Sequence, residues 1–385
     1  FTFTCFSTVY VCFIQFRNRL LCDLVSISCG TQDKNEINIK SIEVGLVNKI
    51  ETQVFNYSDY IDSVKYISLE TTDKSLISYI IDVKLVNDKL FVADKQSVFV
   101  FDLDGHLYSK IAAYGHGPGE YLSVSGMDVN ISNNEINVYD VTNRVMLVYS
   151  LDGSFLRKVA IEGLPRDFAV LSNGDYLFYT PDFMEGTYHG VWQTDKNGQF
   201  LKQHIKLDSK IRFITLSSNY FVHVNDSVVG LVGPQGYDYV LHFTENGYKK
   251  AYNISVDMDI PKNILEKDSD DWERVPGQVY SKTYMETDNY LYMVVSDIGY
   301  KQVFVHYDKV NDINYQRTML VNSDTIDPFI PGNKVPYYFS EQWAGYGVII
   351  GTIPSTTITS IPYYKEGFPH IDENSNPVIG IYYFK

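Results

Sequence analysis

The fold is decided by a stretch that the chain repeats four times: VFVFDLDG (98–105), MLVYSLDG (146–153), GVWQTDKNG (190–198) and YVLHFTENG (239–247). Each copy runs a short apolar strand into a polar turn that ends on glycine. The four glycines follow one another at intervals of 48, 45 and 49 residues. A regular period of about 40 to 50 residues is typical of propellers and solenoids. The sequence therefore predicts a repeat fold.

Each repeat contains four strand-like runs of apolar residues, separated by Gly, Asn, Asp and Pro. Counting outward from the glycine turns gives six first, six second and six third strands, but only five fourth strands. The missing outer strand matches VKYISLET (64–71), which lies before the first repeat. An N-terminal strand that completes the last sheet closes the ring and removes open sheet edges. We predict an all-β, six-bladed β-propeller with four antiparallel strands in each blade.

The N-terminal segment differs in composition from the rest of the chain. It holds all four cysteines, Cys5, Cys12, Cys22 and Cys29, and a largely apolar stretch interrupted by two arginines. Cys29, followed by Gly30 and a polar linker, resembles a lipoprotein attachment cysteine, although Ser26 stands where a large aliphatic residue is usual. The alternative is a non-native leader with incidental cysteines. We expect residues 1–40 to be an export leader and linker outside the fold, and residues 41–385 to form one propeller domain.

Net charge and hydropathy narrow the classes of partner. The formal net charge is −15 and the pI is about 4.9. Nucleic-acid binding needs a concentrated basic surface, so we expect no nucleic-acid partner. After residue 30 no stretch reaches the roughly 20 consecutive apolar residues that a membrane span requires. Membrane contact is therefore expected only through a lipid anchor.

Several segments also resemble a known family. They are YISLETTDKSL (66–76), FVADKQSVFVFDLDGHLYSKI (91–111), YGHGPGEY (114–121), INVYDVTNRVMLVYSLDGSFLRKV (136–159) and NPVIGIYYFK (376–385). Together they resemble the six-bladed β-propeller family of predicted bacterial envelope lipoproteins, related to NHL-like and TolB-like propellers. The resemblance covers residues 64–385. It implies the propeller fold and export, to the periplasm or as an outer-membrane lipoprotein, and it brings no established activity.

The long connections of the predicted propeller fall at one end of the blades. They are residues 114–125, 180–190, 257–281, 322–336 and 354–377, whereas the turns at the opposite end are short. Binding residues concentrate on loops that a rigid scaffold holds. We therefore predict that the functional site lies on the face that carries the long connections.

Arginines and aromatic residues near these connections are the candidate ligand-binding residues. They are Arg144, Arg166, Arg212, Arg274, Tyr114 and Trp272. A guanidinium group binds a carboxylate or phosphate through two hydrogen bonds, and an exposed aromatic ring can stack on a sugar. The alternative is that each arginine pairs with a neighbouring acid, as Arg166 could with Asp167 and Arg274 with Glu273.

Other motifs predict a candidate metal site and turn-shaping residues. No cofactor is predicted; if a divalent metal binds, His116 and His189 on the long-connection face are the best candidate ligands, although isolated histidines are more often structural. The glycines of residues 115–119 are expected to shape a wide crossing rather than to hold a phosphate, because no Gly-Lys-Ser/Thr ending follows. Asp94 and Asp140 end equivalent strands and are expected to cap turns.

The sequence contains no nucleophile-elbow motif, and its body has no cysteine. The sequence favours a non-catalytic binding or scaffold module of the cell envelope, which recognises a glycan, peptide or protein partner. We expect the module to be a monomer. The alternative is a metal-assisted lyase or hydrolase with its site at the channel mouth of the same face. Whether the protein is an enzyme stays open at this point.

Overall fold

The computed structural model describes residues 39–46, 55–56, 59, 61–181, 184–207, 220–233, 238–257, 280–297, 302–317, 320–321 and 343–385. Three strands precede the first complete sheet: β1 (Lys40–Val44), β2 (Phe55–Asn56) and β3 (Ile61–Ser68). The expected leader and Cys29 lie outside the described residues, so the expected boundary between leader and propeller stays a prediction.

Six antiparallel sheets, the blades, follow one another along the chain. Blade 1 contains β4 (Ile80–Val86), β5 (Lys89–Asp94), β6 (Val98–Asp102) and β7 (Leu107–Ile111). Blade 2 contains β8 (Gly126–Asn130), β9 (Glu135–Asp140), β10 (Val145–Ser150) and β11 (Phe155–Ala160). Blade 3 contains β12 (Asp167–Val170), β13 (Tyr176–Thr180), β14 (Gly190–Thr194) and β15 (Phe200–Lys206).

The remaining blades repeat this plan with additions. Blade 4 contains β16 (Phe221–Asn225), β17 (Val228–Val232), β18 (Tyr239–Thr244) and β19 (Gly247–Val256). Blade 5 contains β20 (Tyr280–Glu286), β21 (Tyr290–Asp297), β22 (Gln302–Asp308) and β23 (Ile313–Arg317), and β24 (Leu320–Val321) follows it. Blade 6 contains β25 (Trp343–Gly345), β26 (Val348–Ile353), β27 (Val378–Phe384) and β3. Two short helices, α1 (Ser355–Ser360) and α2 (Pro362–Gly367), lie between β26 and β27.

The first strand of each blade contacts the first strand of the next blade. The contacts run from β4 through β8, β12, β16, β20 and β25 and return to β4, which closes the ring. The six first strands therefore surround a common axis. The predicted six-bladed propeller with four antiparallel strands in each blade is confirmed.

The repeated apolar stretch is buried on both sides. Val98, Phe99, Val100 and Phe101 in β6 are all 0% exposed. Successive side chains of a strand point to opposite faces of the sheet. Phe99 and Phe101 pack in a core cluster with blade 6, and Val98 and Val100 pack in one with blade 2. This explains why the third strand of a blade is a continuous apolar run, since neighbouring blades cover both of its faces.

The glycine that ends the repeated stretch is required by backbone geometry. Gly198 has φ +84°, in the left-handed region that residues with a Cβ atom rarely adopt. A Cβ atom there would also lie 2.7 Å from the carbonyl oxygen of Ala160 on the outer strand of blade 2. The turn glycine of blade 3 thus lets this turn approach the preceding blade closely.

The ring closes as predicted, through a strand from the N-terminal region. β3 pairs antiparallel with β27 as the outer strand of blade 6. The strand is Ile61–Ser68 rather than the predicted 64–71, because residues 72–75 form a hydrogen-bonded turn instead of continuing the strand. Asn376 fixes the junction by accepting the N–H of Ile77 at 2.9 Å and donating to the carbonyl of Ser75 at 2.8 Å.

A fifth strand on blade 4 was not predicted. β1 pairs in parallel with the outer strand β19, and β2 pairs in parallel with β24. Ile42 and Val44 of β1 are 0% and 1% exposed in the core between blades 4 and 5. The alternating segment KSIEV therefore covers the outer edge of blade 4.

Candidate functional site

The antiparallel order of each blade sorts its connections into two ends. The turns between first and second strands and between third and fourth strands lie at one end, the short-turn face. The connections between second and third strands, and those between blades, lie at the other end, the long-loop face. On the short-turn face, two-residue turns such as Asn87-Asp88, with φ +47° and +56°, hold the chain close to the sheet.

Three large apolar side chains on the long-loop face are exposed around blade 1. Leu76 is 54% exposed, and Tyr79 and Tyr114 are each 59% exposed. We call these three residues the aromatic rim. Tyr114, a predicted ligand-binding residue, is therefore presented to solvent. The Lys95 ammonium lies 5.6 Å from the centre of the Tyr79 ring, so a cation lies beside one of the exposed aromatic side chains.

The loop that carries Leu76 and Tyr79 is held firmly on the scaffold. Its Ser75 is 0% exposed, and the Ser75 carbonyl accepts a hydrogen bond from the side-chain amide of Asn376. The N–H and hydroxyl of Ser78 both donate to the Asp94 carboxylate, at 3.2 and 3.1 Å. The backbone next to Tyr79 is thus fixed while the Tyr79 side chain projects outward.

The loop that carries Tyr114 is equally ordered by hydrogen bonds. Gly115 donates its N–H to the carbonyl of Tyr121 at 3.0 Å, and Val124 donates its N–H to the carbonyl of Lys95 at 3.1 Å. Tyr121 is 0% exposed, and its hydroxyl donates to the carbonyl of Gln96 at 3.0 Å. These bonds join the Tyr114 loop to the turn that carries Lys95.

The glycines and aspartates singled out as structural do shape turns. Gly119 has φ +75°, and a Cβ atom there would lie 2.5 Å from the Phe155 ring. Asp94 accepts the N–H of Ser97 at 2.7 Å, and Asp140 accepts the N–H of Thr142 at 3.0 Å. The predicted turn-capping role of the two aspartates is confirmed.

The predicted arginines are not gathered into one anion site among the described residues. The Arg144 guanidinium pairs with the Glu185 carboxylate through two hydrogen bonds of 3.0 and 2.9 Å. Arg166 is exposed, and the suggested partner Asp167 instead accepts the N–H groups of Tyr220 and Phe221. The other candidates lie outside the described residues: Arg212, Arg274 and Trp272.

The two candidate metal ligands have different surroundings. His116 is exposed, whereas His189 is half-buried with its Nδ1 atom 3.0 Å from the carbonyl oxygen of Pro181. Within the part of the chain that the structure describes, no three His, Cys, Asp or Glu side chains converge as metal ligands. A site formed by His116 and His189 stays a prediction.

Charged side chains that the sequence analysis did not single out meet on the propeller axis. Asp82 and Lys84 lie on the first strand of blade 1, Asp128 on that of blade 2, and Asp167 on that of blade 3. We call these four residues the axial cluster. The Lys84 Nζ atom is 3.9 Å from Asp82 Oδ2, and its charge also acts on Asp128 and Asp167.

Each of the three axial carboxylates accepts backbone N–H groups of the next blade through its Oδ2 atom. Asp82 Oδ2 accepts the N–H of Met127 at 3.2 Å. Asp128 Oδ2 accepts the N–H of Val170 at 2.7 Å, and Asp167 accepts two N–H groups from blade 4. The signal in the sequence was an aspartate in each of three aligned first strands, IDVKL, GMDVN and RDFAV. Alignment of the strands alone does not show that these side chains share the axis.

The pKa values of the axial carboxylates diverge according to their partners. Burial raises the pKa of Asp82 to about 6, against the opposing effect of Lys84. Burial also acts to raise the pKa of Asp128, but its bond to His223 prevails and holds that pKa below the ordinary value. Asp82 is 8% exposed and its Oδ1 atom has no hydrogen-bond partner among the described residues.

The short-turn end of the axis is closed by a contact across the ring. Although blades 4 and 6 are not neighbours, their first strands touch, and the Tyr346 N–H donates to the carbonyl of His223 at 2.6 Å. The two side-chain rings stack with centres 5.1 Å apart. His223 also bonds to Asp128 at 2.9 Å, and two cavities of about 10 Å³ beside it each have room for roughly one water.

Tyr346 reaches this position with an unusual backbone. Its φ of +51° lies in the left-handed region, which is rare for an aromatic residue. Such conformations persist where surrounding contacts enforce them. The bond to His223 and the following Gly347, with φ +74°, supply that constraint.

A second buried charge network lies between blades 4 and 5. Glu286 is 1% exposed and accepts hydrogen bonds from His242 at 2.7 Å and from Tyr252 at 3.1 Å. Tyr284 and Lys309 also donate to its carboxylate. Burial opposes ionisation, but His242 and Lys309 lower the pKa of Glu286 to about 2. Both oxygens of this carboxylate are fully used, which indicates a structural role.

Comparison with known proteins extends the fold assignment. The structure resembles the crystal structure of a predicted exported protein from Bacteroides fragilis, with a TM-score of 0.71 and 17% identity, over 90% of this chain and 100% of that chain. It also resembles a member of the DUF4221 family from Bacteroides vulgatus, with a TM-score of 0.50 and 11% identity, over 84% and 97% of the two chains. At these identities the likeness shows the fold alone.

The described residues contain no helix that is long and apolar enough to span a membrane. No curated protein matches the chain. The family model described as a domain of unknown function, DUF4934, matches residues 40–383, which is nearly the whole propeller together with β1. The chain therefore belongs to the DUF4934 family.

Proposed function

We propose that this protein is a non-catalytic binding module of the bacterial cell envelope, which recognises a glycan or peptide, free or on a partner protein, through its long-loop face. The observation that carries the proposal is the aromatic rim. Leu76, Tyr79 and Tyr114 stand more than half exposed on two loops whose backbones are fixed by hydrogen bonds.

Rigid display of exposed aromatic side chains favours binding. An apolar side chain in water costs free energy that burial by a ligand recovers, at about 25 cal/mol per Å². A loop that is already ordered pays little further entropy when it binds. The hydroxyl of a tyrosine adds a hydrogen-bonding group beside an apolar ring, which suits sugars and peptides alike.

Export and envelope attachment form the second part of the proposal. Support comes from the leader-like composition of residues 1–40, from the resemblance of Cys29 to an attachment cysteine, and from the similar fold of the predicted exported protein of Bacteroides fragilis. Periplasmic location, lipid attachment at Cys29 and kinship with NHL-like or TolB-like propellers belong to this proposal. Labelling of growing cells with a palmitate analogue tests the attachment: the native chain should be labelled, and Cys29→Ser should not.

Affinity electrophoresis in gels that contain mannan, xylan or gelatin tests the proposed binding face. We expect at least one of these probes to retard the native protein, and the double variant Tyr79→Ala/Tyr114→Ala to lose the retardation. Tyr108→Ala is the matched control. Tyr108 is 58% exposed and its ring contacts the ammonium of Lys89, as the Tyr79 ring contacts Lys95, but Tyr108 lies on an outer strand and not on the long-loop face. Equal migration of native protein and double variant in all three gels would contradict the proposal.

The alternative of a metal-assisted lyase or hydrolase through His116 and His189 has its own test. Elemental analysis of protein purified without chelator should show no stoichiometric metal if the binding module is the correct reading. A bound metal that His116→Ala or His189→Ala removes would favour the enzyme instead.

A further inference from the structure

The axial cluster contains more negative charge than its own residues neutralise. Three carboxylates, those of Asp82, Asp128 and Asp167, interact electrostatically with one ammonium group, that of Lys84. His223 adds a partner for Asp128 only, through the 2.9 Å bond to its Oδ2 atom. Burial of an unpaired charge is costly, so a cluster of this composition favours an additional cation.

Among the three carboxylates, that of Asp82 has the fewest hydrogen-bond donors. Asp128 accepts hydrogen bonds from Val170 of blade 3 and His223 of blade 4, and Asp167 accepts two from blade 4. Among the described residues, the only hydrogen bond to Asp82 is the 3.2 Å bond from the Met127 N–H. Its Oδ1 atom is buried without a hydrogen-bond partner among the described residues. At 3.9 Å, Lys84 Nζ is too far from Asp82 Oδ2 for a hydrogen bond. Asp82 thus keeps a buried acceptor atom that no donor of the described residues reaches.

The position of the cluster along the axis determines from which side it can be reached. First strands run from the long-loop face to the short-turn face, and Asp167 begins its strand while Asp82 and Asp128 are third in theirs. Asp167 is half-buried, whereas Asp82 and Asp128 are buried, so the carboxylate nearest the long-loop face is the most exposed of the three. At the opposite end the axis is closed by the contact between Tyr346 and His223.

We infer that the axial cluster is an anchoring site for a cationic group, an ammonium or a guanidinium, which a ligand on the long-loop face inserts between Asp82 and Asp167. This inference rests on the proposed function, because the same face presents the aromatic rim. It narrows the ligand to an amine-bearing glycan or a peptide with a basic residue. The negative charge of the whole chain, −15, would also attract such a ligand.

Paired probes that differ only in charge test the inference. Calorimetric titrations would compare a glucosamine hexamer with its N-acetylated form, and N-acetyl-Gly-Lys-Gly-amide with its norleucine counterpart, both blocked at the two ends so that the lysine ammonium is the only charge that differs. We expect an amine-bearing probe to bind at least tenfold more tightly than its neutral partner. The glycan and peptide arms identify which source supplies the cation. Equal affinity within both pairs, or no binding of either amine, overturns the inference.

Two variants connect the binding to Asp82. Asp82→Asn keeps an oxygen for the Met127 N–H and should weaken binding of the amine at least tenfold. Lys84→Met removes the competing cation and should tighten it. Asp226→Asn is the control for charge alone, because Asp226 is an exposed carboxylate at the short-turn end beside Tyr346 and should leave the affinity unchanged.

The remaining outcomes separate the possible failures. Saturable heat from calcium chloride alone, abolished by Asp82→Asn, would overturn the inference in favour of an inorganic cation. Binding that depends on Tyr79 and Tyr114 but not on Asp82 would overturn the inference and leave the proposed function standing. Binding that depends on Asp82 but not on the two tyrosines would support the inference and place the binding surface elsewhere on the face.

Discussion

The Glu286 network and the axial cluster both contain a buried carboxylate, but the pKa of that carboxylate is shifted in opposite directions at the two sites. Around Glu286, four side chains donate to two oxygens, and the pKa falls to about 2. Around Asp82, one N–H and a distant ammonium leave an oxygen without a partner, and the pKa rises to about 6. Both carboxylates are buried, and they differ in the number of donors and cations that contact them.

This difference separates structure from function. A buried carboxylate whose oxygen atoms all accept hydrogen bonds has a structural role. Its removal would leave buried donors unpaired and cost several kcal/mol of unfolding free energy. A buried carboxylate with a free acceptor costs stability in the folded protein. Such an atom calls for an explanation, and the cationic group of a ligand is the one inferred above.

The largest expected effect follows from removing the saturated carboxylate. Glu286→Ala would leave His242 and Lys309 buried without their counter-charge. It would also leave the hydroxyls of Tyr252 and Tyr284 without their hydrogen-bond acceptor. Breaking a buried ion pair in this way costs about 3–5 kcal/mol. Urea unfolding should show that loss relative to the native chain. A loss below about 1 kcal/mol would mean that the network contributes little, and the comparison would fail.

Removal of the unsaturated carboxylate should have the opposite sign. Asp82→Asn eliminates a buried charge whose pKa lies about 2 units above the ordinary value of 3.8, which corresponds to about 3 kcal/mol at 1.36 kcal/mol per unit. At pH 7.5 the variant should therefore be more stable than the native chain by up to about 3 kcal/mol. Unfolding in urea measures the difference. A marked destabilisation would show that Asp82 is already compensated.

The two carboxylates should also respond to pH in opposite directions. The folded-state pKa of Asp82 is raised, so its stabilising contribution is complete below pH 3.8 and is lost as pH rises through about 6. The folded-state pKa of Glu286 is lowered, so its contribution is complete above pH 4.5 and is lost as pH falls through about 2.

Unfolding free energies at pH 5.0 and 7.5 isolate the first of these effects. The unfolding free energy of Asp82→Asn should exceed that of the native chain by more at pH 7.5 than at pH 5.0. The loss of unfolding free energy in Glu286→Ala should be the same at both pH values. The charges that face Asp82 are Lys84, Asp128 and Asp167, and all three remain in the variant. Parallel pH profiles for the native chain and Asp82→Asn would contradict the assignment.

The smallest effect is expected where the axis is closed. Tyr346→Gly relieves the left-handed backbone of an aromatic residue but removes the ring that stacks on His223. The two terms oppose each other, at about 1 kcal/mol each. Thermal unfolding should therefore shift by only a few degrees. A shift as large as that of Glu286→Ala would show that the closure is a main element of stability.

Local periodicity made most of the fold predictable. The glycine turns, the buried third strands and the closing strand from the N-terminal region are written as short apolar runs with turn residues at regular intervals. β1 escaped prediction because KSIEV has the pattern of any exposed-edge strand, and its parallel pairing with β19 joins residues about 200 positions apart. Nothing local in the sequence encodes that partner.

The site was less predictable for the same reason. Tyr114 was identified from its loop, and its exposure follows from the turn residues around it. Asp82, Asp128 and Asp167 were invisible as a group because closure of the ring, not spacing along the chain, brings them to one axis. Likewise the ion-pair partner of Arg144, Glu185, comes from a connection of the next blade, so the residues next to Arg144 in the sequence do not reveal it.

The ionisation of Asp82 itself is the most direct test that the axial cluster lacks a cation. Carbon NMR of protein labelled at the aspartate carboxyl, with Asp82→Asn for assignment, would follow this group from pH 4 to 8 with and without the amine probe that binds most tightly. We predict a midpoint near 6 alone and a clearly lower midpoint with the amine bound. A midpoint near the ordinary value of 3.8 in the free protein, or one that the amine leaves unchanged, would contradict the account.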